Sequence, residues 1–298
     1  MIEQRVEALR SLLRERRLDA VVVTKEVNLF YFSGFRGDDT TLVITPQRLI
    51  LITDNRYTEQ AKQQAPLYEL VEQKHGLLLR TAEVLDAVDA KKIGFEGNHL
   101  TYLQHQELAK RLPGREITVS LNLDDLRQAK DAGEIAKIRK ACEIADAAYE
   151  DVISFLRPGV TEFQVAAHME NFMRAQGSEG PSFATIVASG LRGALPHGTP
   201  TQKIIEEGDF VTMDYGAIYE GYHSDITRTL CVGKASTRQR ETYAHVLEAQ
   251  ELALDLIKPG ASGKAVDAAV RQCLAKYGLD AYFGHGLGHS LGLEIHEE

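Results

Sequence analysis

Residues 209–230 read DFVTMDYGAIYEGYHSDITRTL, two β-rich runs on either side of Glu220-Gly221. A two-residue connection of this kind predicts a β-hairpin. With Glu220 and Gly221 at the turn, Asp214 faces Thr227 and Asp225 faces Gly216. Asp214 and Asp225 then share one face as diagonal neighbours, roughly 7–8 Å apart at the backbone. Two carboxylates so placed can converge on one or two cations. Moving the turn by one residue would send them to opposite faces, so the metal reading depends on register. Acidic hairpin residues ordinarily face water, but strands disfavour Asp, and two in phase ask for a reason.

Upstream lies a helical unit that recurs. Ile135, Ile138, Cys142, Ala145, Tyr149 and Val152 advance by three and four residues, predicting a long amphipathic helix that Arg157-Pro158-Gly159 ends. Thr161 and Gln164 offer a capping box for a second helix, closed by Gly177. RPGVTEFQVAAHMENFMRAQG (157–177) is matched by KPGASGKAVDAAVRQCLAKYG (258–278). Pro158 and Pro259, Gly159 and Gly260, Thr161 and Ser262, Gly177 and Gly278 each stand 101 residues apart. The matches are helix punctuation, which chance could also supply; we read them as a duplicated unit, two structural halves. The same offset from Asp214 and Asp225 runs past residue 298. The second half is therefore expected to lack the hairpin that the first half owns.

The first part of the chain has another texture. DAVVVT, TTLVIT and RLILIT predict strands, Glu3–Arg16 and Tyr102–Leu112 helices, and Pro46-Gln47 a tight turn. This is an α/β domain, residues 1–125, ahead of an α+β domain at 126–298. The aromatic run NLFYFSGF is expected to be core. A chain of 298 residues, 44% hydrophobic and 26% charged, has room for two domains and the balance of a soluble globular protein. Its net charge of −9, with no basic run longer than RERR, argues against a nucleic-acid partner. The charged N-terminus is not a signal peptide, and no apolar run is long enough to span a membrane. Cys142, Cys231 and Cys273, odd in number and widely separated, suggest ordinary buried thiols in a reducing cytoplasm.

The tail is HGLGHSLGLEIHEE, residues 285–298. Gly284, Gly286, Gly288 and Gly292 argue against a helix, hence against a helical histidine zinc clip, and no helix start follows to make a nucleotide loop. In an extended chain His285 and His289 share a face and His296 has the opposite parity.

HGLGHSLGLEIHE (285–297) matches, position by position, the signature of the aminopeptidase P and prolidase group. These are the Xaa-Pro-cleaving members of the pita-bread metallopeptidases, family M24. MDYGAIYEGYHSDITRT (213–229) resembles the group's two-aspartate segment, and Pro196-His197-Gly198 its upstream histidine motif. The spacing agrees as well: His197 lies 17 residues before Asp214, Asp225 lies 11 after it, and His296 lies 7 after His289. The resemblance covers essentially the whole chain. It implies an α/β N-terminal domain of the creatinase/prolidase type, then an α+β pita-bread catalytic domain with an internal pseudo-twofold repeat.

The same resemblance implies two divalent metal ions, manganese first, with cobalt or zinc able to replace it, on Asp214, Asp225 and His289. Such ions acidify a water and polarise the amide carbonyl. His197 and His296 are implied as catalytic, substrate-binding groups on the scissile carbonyl or tetrahedral intermediate, and His285 as part of the proline pocket. The implied substrate is a dipeptide or short peptide with proline second, the implied assembly a homodimer whose N-terminal domains cap the cleft. Two further glutamate ligands follow the signature in this group, one of them also the proposed general base. They would fall beyond residue 298, so the chain is expected to be C-terminally incomplete, whether as a fragment, through an incomplete gene reading or by omission of a tail that the protein has. Without them, a non-catalytic pita-bread scaffold is the rival reading. A creatinase-like amidinohydrolase, using the fold without metal, is the other; the presence of Asp214, Asp225 and His289 speaks against it.

Overall fold

A computed structural model describes residues 1–297, in two compact units, Met1–Ala129 and Lys130–Glu298. The first unit runs α1 (Ile2–Arg16), β1 (Ala20–Val23), α2 (Glu26–Ser33), β2 (Thr41–Ile44), β3 (Leu49–Thr53), α3 (Thr58–Gln64), β4 (Glu69–Glu72), α4 (Leu77–Ala87), β5 (Lys92–Glu96), α5 (Tyr102–Arg111) and β6 (Glu116–Leu121). Its strands form one mixed sheet in the order β4-β3-β2-β1-β5-β6. β1 and β2 are buried along their whole length, and so they read as unbroken apolar runs rather than alternating ones. The Pro46-Gln47 turn is closed by Thr45, whose hydroxyl accepts from the Arg48 amide at 2.8 Å. NLFYFSGF is the core expected of it: Leu29, Tyr31, Phe32 and Phe35 are buried.

The second unit opens with α6 (Ala132–Phe155) and α7 (Glu162–Ala175). β7 (Ile186–Ser189), β8 (Phe210–Tyr215), β9 (Ile218–Tyr219), β10 (Tyr222–His223) and β11 (Ile226–Cys231) follow, then α8 (Thr237–Leu256) and α9 (Gly263–Ala275). β7, β8 and β11 make an antiparallel sheet in the order β11-β8-β7. Along β8, Val211, Met213 and Tyr215 are buried while Thr212 and Asp214 are partly exposed. The buried set joins Ile144, Ala145, Ala148 and Val152 of α6 and Val165 and Met169 of α7 in one core. A smaller cluster holds α8 to α9 through Ala249, Ala253, Val266, Val270 and Cys273. Among the described residues no helix is long and apolar enough to cross a membrane.

The apolar stripe on α6 is only in part the one the spacing predicts: Ala145 and Val152 are buried and Tyr149 packs against the core, but the rest of the face is turned. Ile135 and Cys142 are exposed, and the buried face is Glu134, Ala141, Ile144, Ala145, Ala148 and Val152. Alanines dominate because the sheet approaches the helix closely: the Tyr215 hydroxyl donates to the Ala145 carbonyl at 3.2 Å, and the Ser224 hydroxyl to that of Ala141 at 3.2 Å. Larger side chains there would hold the strands away. Of the three cysteines, all free, Cys273 alone is buried.

The repeated punctuation also differs between its copies. Thr161 accepts from the Gln164 amide at 3.2 Å while Gln164 accepts from the Thr161 amide at 2.9 Å, a complete capping box. Ser262, its counterpart, makes no side-chain cap to α9.

Just inside the Thr161 cap stands a residue whose role is long-range. Glu162 is fully buried, and its carboxylate accepts from the amide and hydroxyl of Ser189 at 2.8 and 2.9 Å. It also accepts from Arg192 Nε at 3.1 Å and from the amide and hydroxyl of Thr201 at 3.0 and 2.7 Å. Arg192 Nη2 in turn donates to the Thr199 carbonyl at 2.7 Å. One carboxylate thus gathers both ends and the middle of segment 189–201, the loop that carries His197. Burial alone would raise its pKa; the hydrogen bonds from Thr201 and Ser189 overcome that and hold it below the ordinary carboxylate range.

Two measurements follow. Thr161→Ala is expected to lower unfolding free energy by about 1 kcal/mol in urea titrations, and Ser262→Ala by less than about 0.5 kcal/mol; equal losses would contradict the asymmetry of the caps. Glu162→Gln is expected to cost about 2–3 kcal/mol at neutral pH. Because the folded pKa lies below the ordinary 4.5, the carboxylate's contribution is complete above that value and fades as pH falls through the folded one. The gap between parent and variant should therefore narrow in acid; a gap that stays constant down to about pH 3 would show that the charge is not what stabilises the loop.

Candidate active site

The hairpin has the register the sequence requires of it. Glu220 (φ 47°) and Gly221 (φ 84°) are both left-handed, the conformation of a two-residue type I′ turn. Tyr219 pairs with Tyr222, Ile218 with His223, Tyr215 with Ile226 and Asp214 with Thr227. Between the inner and outer ladders the two strands close on each other. A Cβ on Gly216 would lie 1.9 Å from the Ser224 carbonyl oxygen, so only glycine is accommodated. Ser224, 1% exposed, locks the crossing. Its amide donates to the Ala217 carbonyl at 2.9 Å, and its hydroxyl accepts from the Ala217 amide at 2.9 Å. Asp225 comes next, outside the ladder.

Asp214 sits on the face of β8 opposite the core. Its Oδ1 accepts from the Thr227 hydroxyl at 2.8 Å. Partial burial pushes its carboxyl above the ordinary range, against that hydrogen bond, and the negative charge of Asp225 adds to the rise, while His197 and His289 oppose it. These four side chains therefore share one electrostatic neighbourhood. His289 is the best defined of them: its Nε2 stands 3.3 Å from Asp225 Oδ2, with the two side chains 36% and 26% exposed.

The tail reaches this place as an irregular, doubled-back loop. The His223 amide donates to the Gly292 carbonyl at 2.8 Å, tying the tail to the hairpin. A β-bridge joins Ser290 to Glu297, and the His289 and His296 rings meet with centroids 4.2 Å apart. The parity argument for an extended chain separates these two residues; the fold brings them together because the chain reverses at 291–296. His285 has other partners. Its ring lies edge-on to Phe283 at 4.7 Å, and its carbonyl accepts from Arg271 Nη2 at 2.6 Å. His197 is exposed, on a loop seated closely enough that a Cβ on Gly198 would come 2.7 Å from the Ala188 Cβ.

Asp214, Asp225 and His289 offer two carboxylates and one imidazole, donors suited to divalent manganese, cobalt or zinc. Burial first and the charge of Asp225 second raise Asp214, and a cation bound there would oppose both. The fit is one of donor type and proximity in pairs: among the described residues, no three His, Cys, Asp or Glu side chains converge closely enough to form a metal cage. Sequence reasoning missed Glu162 and Ser224. A glutamate in the first turn of a helix has an ordinary local explanation in the helix dipole, and a serine beside a turn is unremarkable, so neither carried a signal.

Residues 136–298 match the model of metallopeptidase family M24, and residues 5–129 that of the creatinase/prolidase N-terminal domain. A Xaa-Pro dipeptidase of Pyrococcus furiosus is 39% identical over 299 residues, covering 99% of this chain and 84% of that protein. The structure of a Xaa-Pro dipeptidase from Bacillus anthracis superposes with a TM-score of 0.95 at 42% identity, over 100% of this chain and 84% of that one. An X-Pro aminopeptidase from Thermotoga maritima MSB8 superposes with a TM-score of 0.92 at 37% identity, over 99% and 84%. With the hairpin, the histidine tail and both domains accounted for, the chain belongs to metallopeptidase family M24, its peptidase domain preceded by a creatinase/prolidase N-terminal domain.

Proposed function

We propose that this protein is a metal-dependent peptidase that hydrolyses the Xaa-Pro bond at the N-terminus of dipeptides or short peptides. The observation that carries the reading is the pairing of His289 from the tail with Asp225 of the hairpin, Nε2 to Oδ2 at 3.3 Å, beside Asp214 on the neighbouring strand. The relatives support the substrate class, since those of Pyrococcus furiosus and Bacillus anthracis are Xaa-Pro dipeptidases. Asp214, Asp225 and His289 would hold divalent metal. Bound there, such ions supply Lewis acidity and a more acidic water.

The chain's own groups do the positioning. His296, packed against His289, and His197, on the loop that Glu162 gathers, would donate hydrogen bonds to the oxygen that becomes negative as the carbonyl is attacked. Both loops are held by buried anchors, so these donors need little reorganisation during the reaction. His285 and Phe283 make an aromatic corner suited to the apolar ring of proline. An amide before proline has no N–H, so shape around the ring carries specificity that a hydrogen bond cannot.

Asp225→Asn is expected to lower Xaa-Pro turnover by at least ~100-fold while the unfolding transition stays in place, because it removes a ligand charge and no core packing. Activity kept within a few-fold would overturn the metal assignment. Chelation should abolish turnover and added manganese restore it; indifference to both would do the same. Assaying a Xaa-Pro dipeptide beside a longer Xaa-Pro peptide separates a dipeptidase from an aminopeptidase, and cleavage of neither would overturn the substrate class.

A further inference from the structure

The residue that closes the histidine signature is acidic, and the reaction assigned above gives it nothing to do. We propose that Glu297, paired with Lys130, is a positioning residue that fixes how His296 stands against His289; this rests on the reading of those histidines as active-site groups. Glu297 and Ser290 are the sequence neighbours of the two histidines, and they are also the two ends of the bridge that closes the loop, the Glu297 amide donating to the Ser290 carbonyl at 2.9 Å. The separation of the rings is therefore set by this bridge.

The Glu297 side chain then locks it. It folds back into its own loop, where Oε1 accepts from the Leu293 amide at 3.0 Å and the Glu294 amide at 3.2 Å. The carboxylate fills the space over Gly292, where a Cβ would fall 2.7 Å from Oε2. This gives the glycine of the signature a steric reason. The side chain is only 4% exposed, and its counter-charge is Lys130 Nζ at 3.0 Å, itself 13% exposed. A buried carboxylate without such a partner is costly.

Lys130 sits immediately ahead of α6, whose first turn is fixed by the Asp131–Glu134 capping box. That same helix carries the hairpin, through Ser224 on the Ala141 carbonyl and Tyr215 on that of Ala145. The Lys130–Glu297 pair thus refers the histidine loop to the helix on which both aspartates are mounted. Together with the His223–Gly292 hydrogen bond it makes a second, charged tie between the two halves of the site.

The test is a set of variants in the intact protein. Glu297→Gln keeps an oxygen for the two amides but loses the charge facing Lys130; kcat on a Xaa-Pro substrate should fall ~10- to 100-fold with KM little changed. Glu297→Asp, which keeps the charge, should recover part of that loss. In the His296→Ala background, Glu297→Gln should cost little more, because it acts through the ring already removed; multiplying losses would overturn the proposal. So would a crystal structure of Glu297→Gln in which the 290–297 loop and the 4.2 Å ring separation are unchanged, whether or not the parent cleaves Xaa-Pro bonds. A parent inactive on those substrates, with the loop displaced in the variant, would count against the substrate reading and for the positioning role. Should Glu297→Gln fail to fold, Lys130→Met removes the same pair from the other side and is read in the same way.

Discussion

The second unit depends on a close crossing of two backbones. At Gly216 and Ser224 the hairpin strands approach until no Cβ can stand between them, and the Ser224 hydroxyl spans the crossing to reach the Ala141 carbonyl of α6. Register, helix docking and the placement of Asp225 all follow from this contact. A slip of one residue would turn Asp214 into the core now filled by Val211, Met213 and Tyr215, and would turn those three toward solvent. The type I′ turn at Glu220-Gly221 holds the register from one side, and the Ser224 lock from the other. An unpaired carboxylate in the core costs several kcal/mol, so the register that exposes Asp214 is also the one the apolar side chains prefer.

How legible each feature was in the sequence follows the range of the interaction behind it. The hairpin register could be read because turn chemistry and strand alternation are local. So could β1, β2 and β3 of the first unit, whose runs are buried; β4 and β6, half exposed, gave no such signal. The α6 stripe was read correctly at Ala145, Tyr149 and Val152 and misread at Ile135 and Cys142, which are larger and more apolar than the alanines that pack; close approach of the sheet, not hydrophobicity, selected that face. The parity of the tail was misread because glycine does not keep a chain extended. Glu162 and the histidine loop it gathers involve partners 27 to 39 residues away, and no local pattern marks such a pairing. The family signature located His289 and His296; their ring contact could be seen only in the folded chain.

Electrostatics then separates what stabilises the fold from what serves the site. Of the buried carboxylates, Glu162 is surrounded by amide, hydroxyl and cationic donors, and Glu297 by two amides and the charge of Lys130. Asp214 differs: half-buried, close to another carboxylate and held by a single threonine hydroxyl, it is pushed above the usual range. A fold selected for stability alone would have little reason to keep that pair together. In the proposed site this is where a cation would act, and the imidazole beside Asp225 distinguishes this face from the many ion pairs on the surface.

The two kinds of functional group are mounted in two ways, and the reason is mechanical. The carboxylates lie on or beside strands, where the ladder already fixes direction. The imidazoles lie on loops, where glycine gives the chain the bends it needs but adds conformational entropy that must be overcome. Each loop meets that cost with one buried glutamate: Glu162 gathers the ends and middle of the His197 loop, and Glu297 closes the loop between His289 and His296. A carboxylate suits this task because it can accept several hydrogen bonds at once, so a single side chain replaces the backbone pairing that an irregular loop lacks. In the proposed site the placement of the imidazoles therefore rests on these two acids, each set where a loop would otherwise be free to drift.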